Sequence, residues 1–109
     1  MKRSAWIMTL KPGCEAEYKA RHDAIWPEML ALMRSRSILN FSIYRHGLTL
    51  FAVQDREDDA EDAPPDTIQW RWWAEMQPLM ECHPDTRPIR IPVEEVFSYR
   101  SEPTSEAER

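Results

Sequence analysis

Polar and apolar positions along the chain change period several times, and each change marks an element. Residues 3–10 (RSAWIMTL) alternate as a strand, with Ala5 and Ile7 on one face and Trp6, Met8 and Leu10 on the other. Both faces are apolar, so each side of the sheet needs a cover. Pro12 and Gly13 then break the strand. Over residues 14–35 the period becomes helical: Tyr18, His22, Ile25, Trp26, Met29 and Met33 recur along one stripe. Pro27 interrupts that helix, because proline has no N–H and clashes with the carbonyl of Asp23. A kink or restart is expected just after His22 and Asp23.

Two strands follow at 38–46 (ILNFSIYRH) and 48–54 (LTLFAVQ), and the short connection at His46–Gly47 forces a hairpin. The acidic stretch Asp55–Asp66, closing on Ala63-Pro64-Pro65, reads as an exposed connector rather than an acidic binding site. Asp66 or Thr67 caps a second helix running to about Met80. Pro84 and Pro88 bound an extended loop. A last strand is expected at about 91–99, with Val93, Phe97 and Tyr99 on one face and Val96 on the other. One domain thus spans 1–100, and residues 101–109 form a polar tail.

The order β-α-β-β-α-β predicts an α+β, ferredoxin-like fold: an antiparallel sheet with both helices on one face. The opposite face carries enough apolar and aromatic residues to need a partner. A second copy is the simplest one, so a homodimer with sheets packed face to face is expected.

Composition narrows the function. The 109 residues suit one modest core, and no apolar run approaches the ~20 residues of a membrane span. The apolar stretch Ala5–Leu10 is too short for a signal peptide, which places the protein in the cytoplasm. Cys14 and Cys82 stand far apart without a CxxC partner and read as free thiols. His22, His46 and His83 lack the i,i+4 spacing of a metal pair, so no metal is expected. Net charge is −5 with scattered Lys and Arg, which argues against nucleic acid. Two glycines and no GxGxxG or P-loop leave no nucleotide cradle, so no cofactor is expected either. What remains unusual is five tryptophans, at 6, 26, 70, 72 and 73, in so short a chain.

The run Tyr18-Lys19-Ala20-Arg21-His22-Asp23-Ala24-Ile25-Trp26-Pro27-Glu28 closely resembles the YxxRHxxIWPE signature of the L-rhamnose mutarotases. Asn40, Ile43-Tyr44 and Leu50-Phe51-Ala52 look like that family's central hairpin, and Trp72-Trp73 with Met76 like its WWxxM helix. Met80, Pro84-Asp85, Pro88 and Val96-Phe97 resemble its closing segment, so the similarity runs from Lys2 to Tyr99. The resemblance implies a dimeric α/β-barrel that interconverts the α and β anomers of L-rhamnose. It implies His22 as the acid/base residue, with Tyr18, Phe41, Trp72 and Trp73 lining the sugar pocket. The chain departs from the pattern in three places. Phe41 stands where the family typically has tyrosine, the closing motif reads His83-Pro84-Asp85-Thr86-Arg87-Pro88 rather than NPDNSP, and the turn at Gly47 is shortened.

The implied chemistry suits these residue types. Mutarotation moves a proton between the anomeric hydroxyl and the ring oxygen, and histidine can give and take one near neutrality. Tyr18 lies one turn before His22, on the same stripe. Indoles offer flat walls to the C–H faces and methyl group of a deoxy sugar, and an N–H to its hydroxyls. Apart from the motif, His22 is an ordinary helix histidine and Tyr18 a stripe residue. Trp26 and Pro27 read as structural and His46 as an idle turn residue. His83 and Asp85 form either a loop over the pocket mouth or a rigid connector. Competing readings are a mutarotase for another deoxy sugar such as L-fucose, a non-catalytic sugar-binding barrel, and the monooxygenase or haem-binding barrels of similar fold.

Overall fold

The computed structural model describes residues 1–101; residues 102–109, nearly all of the expected tail, lie outside the described residues. Strand β1 (Lys2–Thr9) leads through Pro12-Gly13 into helix α1 (Glu15–Asp23). Glu15 and Glu17 sit in its first turn, and Arg21 and His22 in its last, the charge order that a helix dipole favours. The break expected at Pro27 is present: helix α2 (Pro27–Ser35) starts with the proline in its first turn, where a missing N–H goes unnoticed. Trp26 before it is extended at φ −63°, ψ 136°, as a residue preceding proline must be. Chain direction therefore changes just after His22.

Strands β2 (Ile38–His46) and β3 (Thr49–Arg56) form the expected hairpin, with Gly47 at φ +60° in its turn. Helix α3 (Thr67–Met76) opens on a capping box: Asp66 accepts from the Ile68 N–H, and the Gln69 side chain reaches back to the Asp66 N–H. Pro78 then tightens the chain into a 3-10 turn, Gln77–Leu79, earlier than the Met80 end read from the pattern. The sheet order is β2-β3-β1-β4, all antiparallel, which is the ferredoxin-like arrangement.

Two expectations need correction. Asp55 and Arg56 do not open the acidic connector but end β3, and Asp55 is buried. Its carboxylate accepts two hydrogen bonds from Arg3, at 2.7 and 3.0 Å, across the Arg3↔Asp55 register pair. A charged residue at a strand end reads as loop in one dimension; its partner is 52 residues away. The last strand is also shorter than expected. Strand β4 covers only Ile91–Val93, and residues 94–100 run on without strand pairing. Val96, Phe97 and Tyr99 therefore stand almost fully exposed. Apolar alternation marks a segment that needs burial, but not which surface supplies it.

Register divides the sheet into two faces. Trp6 pairs with Ala52 and Met8 with Leu50, and all four are buried beneath the helices with Leu10, Tyr18, Met29, Trp72, Trp73 and Met76. The alternate set, Ala5, Ile7, Tyr44, Phe51, Ile91 and Val93, points the other way. Among these, Tyr44, Phe51, Ile91 and Val93 are exposed.

Candidate active site

Between the helices and the near face of the sheet lies a partly open cavity of about 720 Å³. That volume falls within the ~300–1,000 Å³ of small-molecule sites. Tyr18, His22, Phe41, Trp72 and Trp73 all line it. Three elements contribute: the last two turns of α1 supply Tyr18 and His22, α3 supplies the tryptophans, and β2 supplies Phe41.

His22 is half-buried at the end of α1 and is fixed on both sides of its ring. Its Nδ1 lies 2.9 Å from the Tyr18 carbonyl. A carbonyl oxygen can only accept, so Nδ1 carries the proton. The neutral ring thus keeps its lone pair on Nε2. The Tyr18 ring packs on the imidazole at 4.3 Å between centroids, and Trp72 meets it edge-on at 5.3 Å. Burial pushes the His22 pKa below its ordinary 6.5, against the Tyr18 carbonyl and the nearby Asp23 carboxylate, which both favour the cation. The same effect raises the buried Tyr18 phenol far above its usual value, so it stays a hydrogen-bond donor. The result is an imidazole base beside a phenol that keeps its proton.

Both tryptophans of the WW pair are buried and both reach the cavity. Helical geometry turns neighbours about 100° apart, but the cavity is wide enough to meet both. Trp26 packs behind the site, edge-on to Trp72 at 5.0 Å, and holds it from the rear. Arg21 ties α1 to α3 through the Glu75 carbonyl and carboxylate, and also binds Glu17. His46 is exposed on the hairpin, away from the cavity. His83 lines a smaller neighbouring depression, and Asp85 is held by Arg87 at 3.1 Å. Among the described residues no three His, Cys, Asp or Glu side chains gather as a metal ligand set.

Trp6 and Arg90 are among the cavity residues that the sequence did not point to. Alternation groups Trp6 with Met8 and Leu10 on one strand face without placing it in the site; it stacks on Phe41 with centroids 5.9 Å apart. Arg90 sits in the loop before β4 and projects over the Trp6 ring, its Cζ 4.5 Å from the centroid. A lone arginine between two short apolar runs gives no sequence signal.

A ferredoxin-like unit whose cavity holds an imidazole base, a protonated phenol and indole walls has the equipment of an acid/base site for a small polyhydroxylated molecule. Comparison with known proteins narrows that class. The family model for L-rhamnose mutarotase matches residues 3–99. L-rhamnose mutarotases of Bacteroides thetaiotaomicron and Jannaschia are 46% and 44% identical over 101 residues, covering 89% of this chain and 97% of theirs. That of Rhizobium meliloti is 40% identical with the same coverage. The crystal structure of an L-rhamnose mutarotase from Formosa agariphila superposes with a TM-score of 0.83 at 35% identity, over 92% of this chain and 100% of that one. The chain belongs to the L-rhamnose mutarotase family.

Proposed function

We propose that the protein interconverts the α and β anomers of L-rhamnose, with His22 as the acid/base residue. The observation that carries this reading is the hydrogen bond from His22 Nδ1 to the Tyr18 carbonyl, which leaves Nε2 as the free base in the cavity. Nε2 takes the proton of the anomeric hydroxyl while the bond from the anomeric carbon to the ring oxygen breaks. The resulting imidazolium returns that proton to the ring oxygen, which shares the same carbon. Closure reverses the steps on the other face of the carbonyl. Proton count and charge balance over the cycle, and one side chain serves both oxygens.

Tyr18 steadies charge on the ring oxygen as a donor, since its raised pKa makes it a poor acid. Trp72 and Trp73 pack against the sugar's C–H faces and methyl group. Phe41 provides apolar contact only.

The working unit in this proposal is a single domain over residues 1–100, paired with a second copy through the far face of the sheet. Tyr44, Phe51, Ile91 and Val93 on that face, and Val96, Phe97 and Tyr99 beyond β4, are a large apolar surface for a monomer to leave wet. No described helix is long and apolar enough to cross a membrane. Free Cys14 and Cys82 suit the reducing cytoplasm, where we place the enzyme.

Saturation-transfer NMR of free L-rhamnose, with and without the protein, tests the activity. Faster exchange between the anomeric resonances supports it, and an unchanged rate eliminates it. L-Fucose in the same assay tests the neighbouring sugar, because Phe41 lacks the hydroxyl usual in the family.

A further inference from the structure

We propose that Arg90 is a sugar-binding residue of this cavity, its guanidinium donating to a neighbouring pair of the substrate's hydroxyl oxygens and setting which sugar is held. The inference deepens the proposed function and rests on it.

The strand register fixes where Arg90 points. Ile91 pairs with Ile7 on the far face, so Arg90, one residue earlier, falls on the near face with Trp6 and Met8. There it lines the cavity and lies over the Trp6 indole, a cation–π position. Trp6 in turn stacks on Phe41. Phe41 comes from β2 and Arg90 from the loop before β4, on opposite sides of β1, so Trp6 stands between them.

Among the described residues Arg90 has no ion-pair or hydrogen-bond partner, whereas Arg3, Arg21, Arg56 and Arg87 each hold a carboxylate. Arg90 is exposed as a residue, yet the atoms packed around it lower its pKa by partial desolvation, with no counter-charge to offset this. A guanidinium nevertheless remains charged near neutrality and presents a planar fork of donors without any acceptor. Vicinal hydroxyls offer two oxygens at the spacing that such a fork matches. A second donor is also left unmatched here: Trp6 Nε1 is buried with no partner. That N–H is sealed off, whereas the Arg90 guanidinium is open to a molecule in the cavity.

The test uses the full chain and saturation-transfer exchange rates across L-rhamnose concentration. Arg90→Met keeps the apolar stem over Trp6, and Arg90→Lys keeps the charge but not the fork. Both are expected to raise KM for L-rhamnose by about 10- to 100-fold while kcat stays within about threefold. The penalty should vanish for the one or two mono-deoxy L-rhamnoses that lack the contacted hydroxyls, which a purely structural role would not produce. Unchanged KM in both variants, or the same penalty for every deoxy sugar, overturns the assignment. Should Arg90→Met fail to fold, Arg90→Lys with unaltered thermal unfolding decides alone. If the unaltered protein accelerates exchange and the variants match it, only the role of Arg90 falls. If the unaltered protein accelerates nothing, the proposed function falls and takes this role with it.

Discussion

The two faces of the sheet come from the same strands and both carry apolar side chains, yet only one of them is covered. On the near face Trp6, Met8, Leu50 and Ala52 are sealed by helices, and the gap left between them is the cavity around His22. On the far face Tyr44, Phe51, Ile91 and Val93 sit one residue out of step, and no helix seals them. Leu50 is 1% exposed and its neighbour Phe51 is 42% exposed. Hydrophobicity alone therefore does not distinguish a core from an exposed face. Parity along the strand does, because it decides whether a side chain meets the molecule's own helices.

Replacing His22 with Ala should break the near face's chemistry without breaking its packing. Enhanced anomer exchange should fall by about 10²- to 10⁴-fold, with little change in thermal unfolding. Retained exchange would remove His22 from the reaction. The next effect separates the faces directly. Leu50→Ala should lose about 2–5 kcal/mol in denaturant unfolding, since it opens a void in a sealed layer. Phe51→Lys should instead leave the folded subunit within about 0.5 kcal/mol. If the proposed pairing of two copies through this face holds, two such charges meet across it and sedimentation should show association weakened by about 100-fold or more. Equal stability losses at 50 and 51 would erase the distinction.

A smaller effect concerns pH. The imidazole acts as a base only when neutral, and burial holds its pKa below 6.5. Activity should therefore fall on acidification through a midpoint below 6.5 and level off as pH rises past it. A midpoint above 6.5 in kcat/KM would mean that the Tyr18 carbonyl and Asp23 outweigh burial. The smallest effect lies on the far face, where the hydrogen bonds of Arg3 hold the Asp55 carboxyl below its ordinary 3.8, burial opposing them. A depressed carboxylate stabilises the fold above pH 3.8, and that contribution disappears as pH falls through the lowered value. Asp55→Asn should flatten this acid limb in urea unfolding at several pH values.

Much of this was legible in one dimension because the signals are local. Pro27 and the Tyr18–His22 stripe announced the break that leaves His22 at the end of a helix. The Gly47 turn announced the hairpin, and Asp66 the start of α3. Asp55 was misread because its carboxylate is matched by an arginine on another strand. The 91–99 strand was overdrawn because alternation reports a need for burial without naming the surface that meets it. Trp6 was visible as sharing a strand face with Met8 and Leu10 but not as a cavity wall, and Arg90 was not visible at all.

The sequence by itself determined the order of elements, the two apolar faces and the signature that marks the family, since periodicity, proline and turn chemistry act within a few residues. Only the tertiary structure decided which nitrogen of His22 is free, how far the last strand extends, and that Arg90 reaches the cavity. Those depend on distances between segments remote along the chain, and no local preference encodes them.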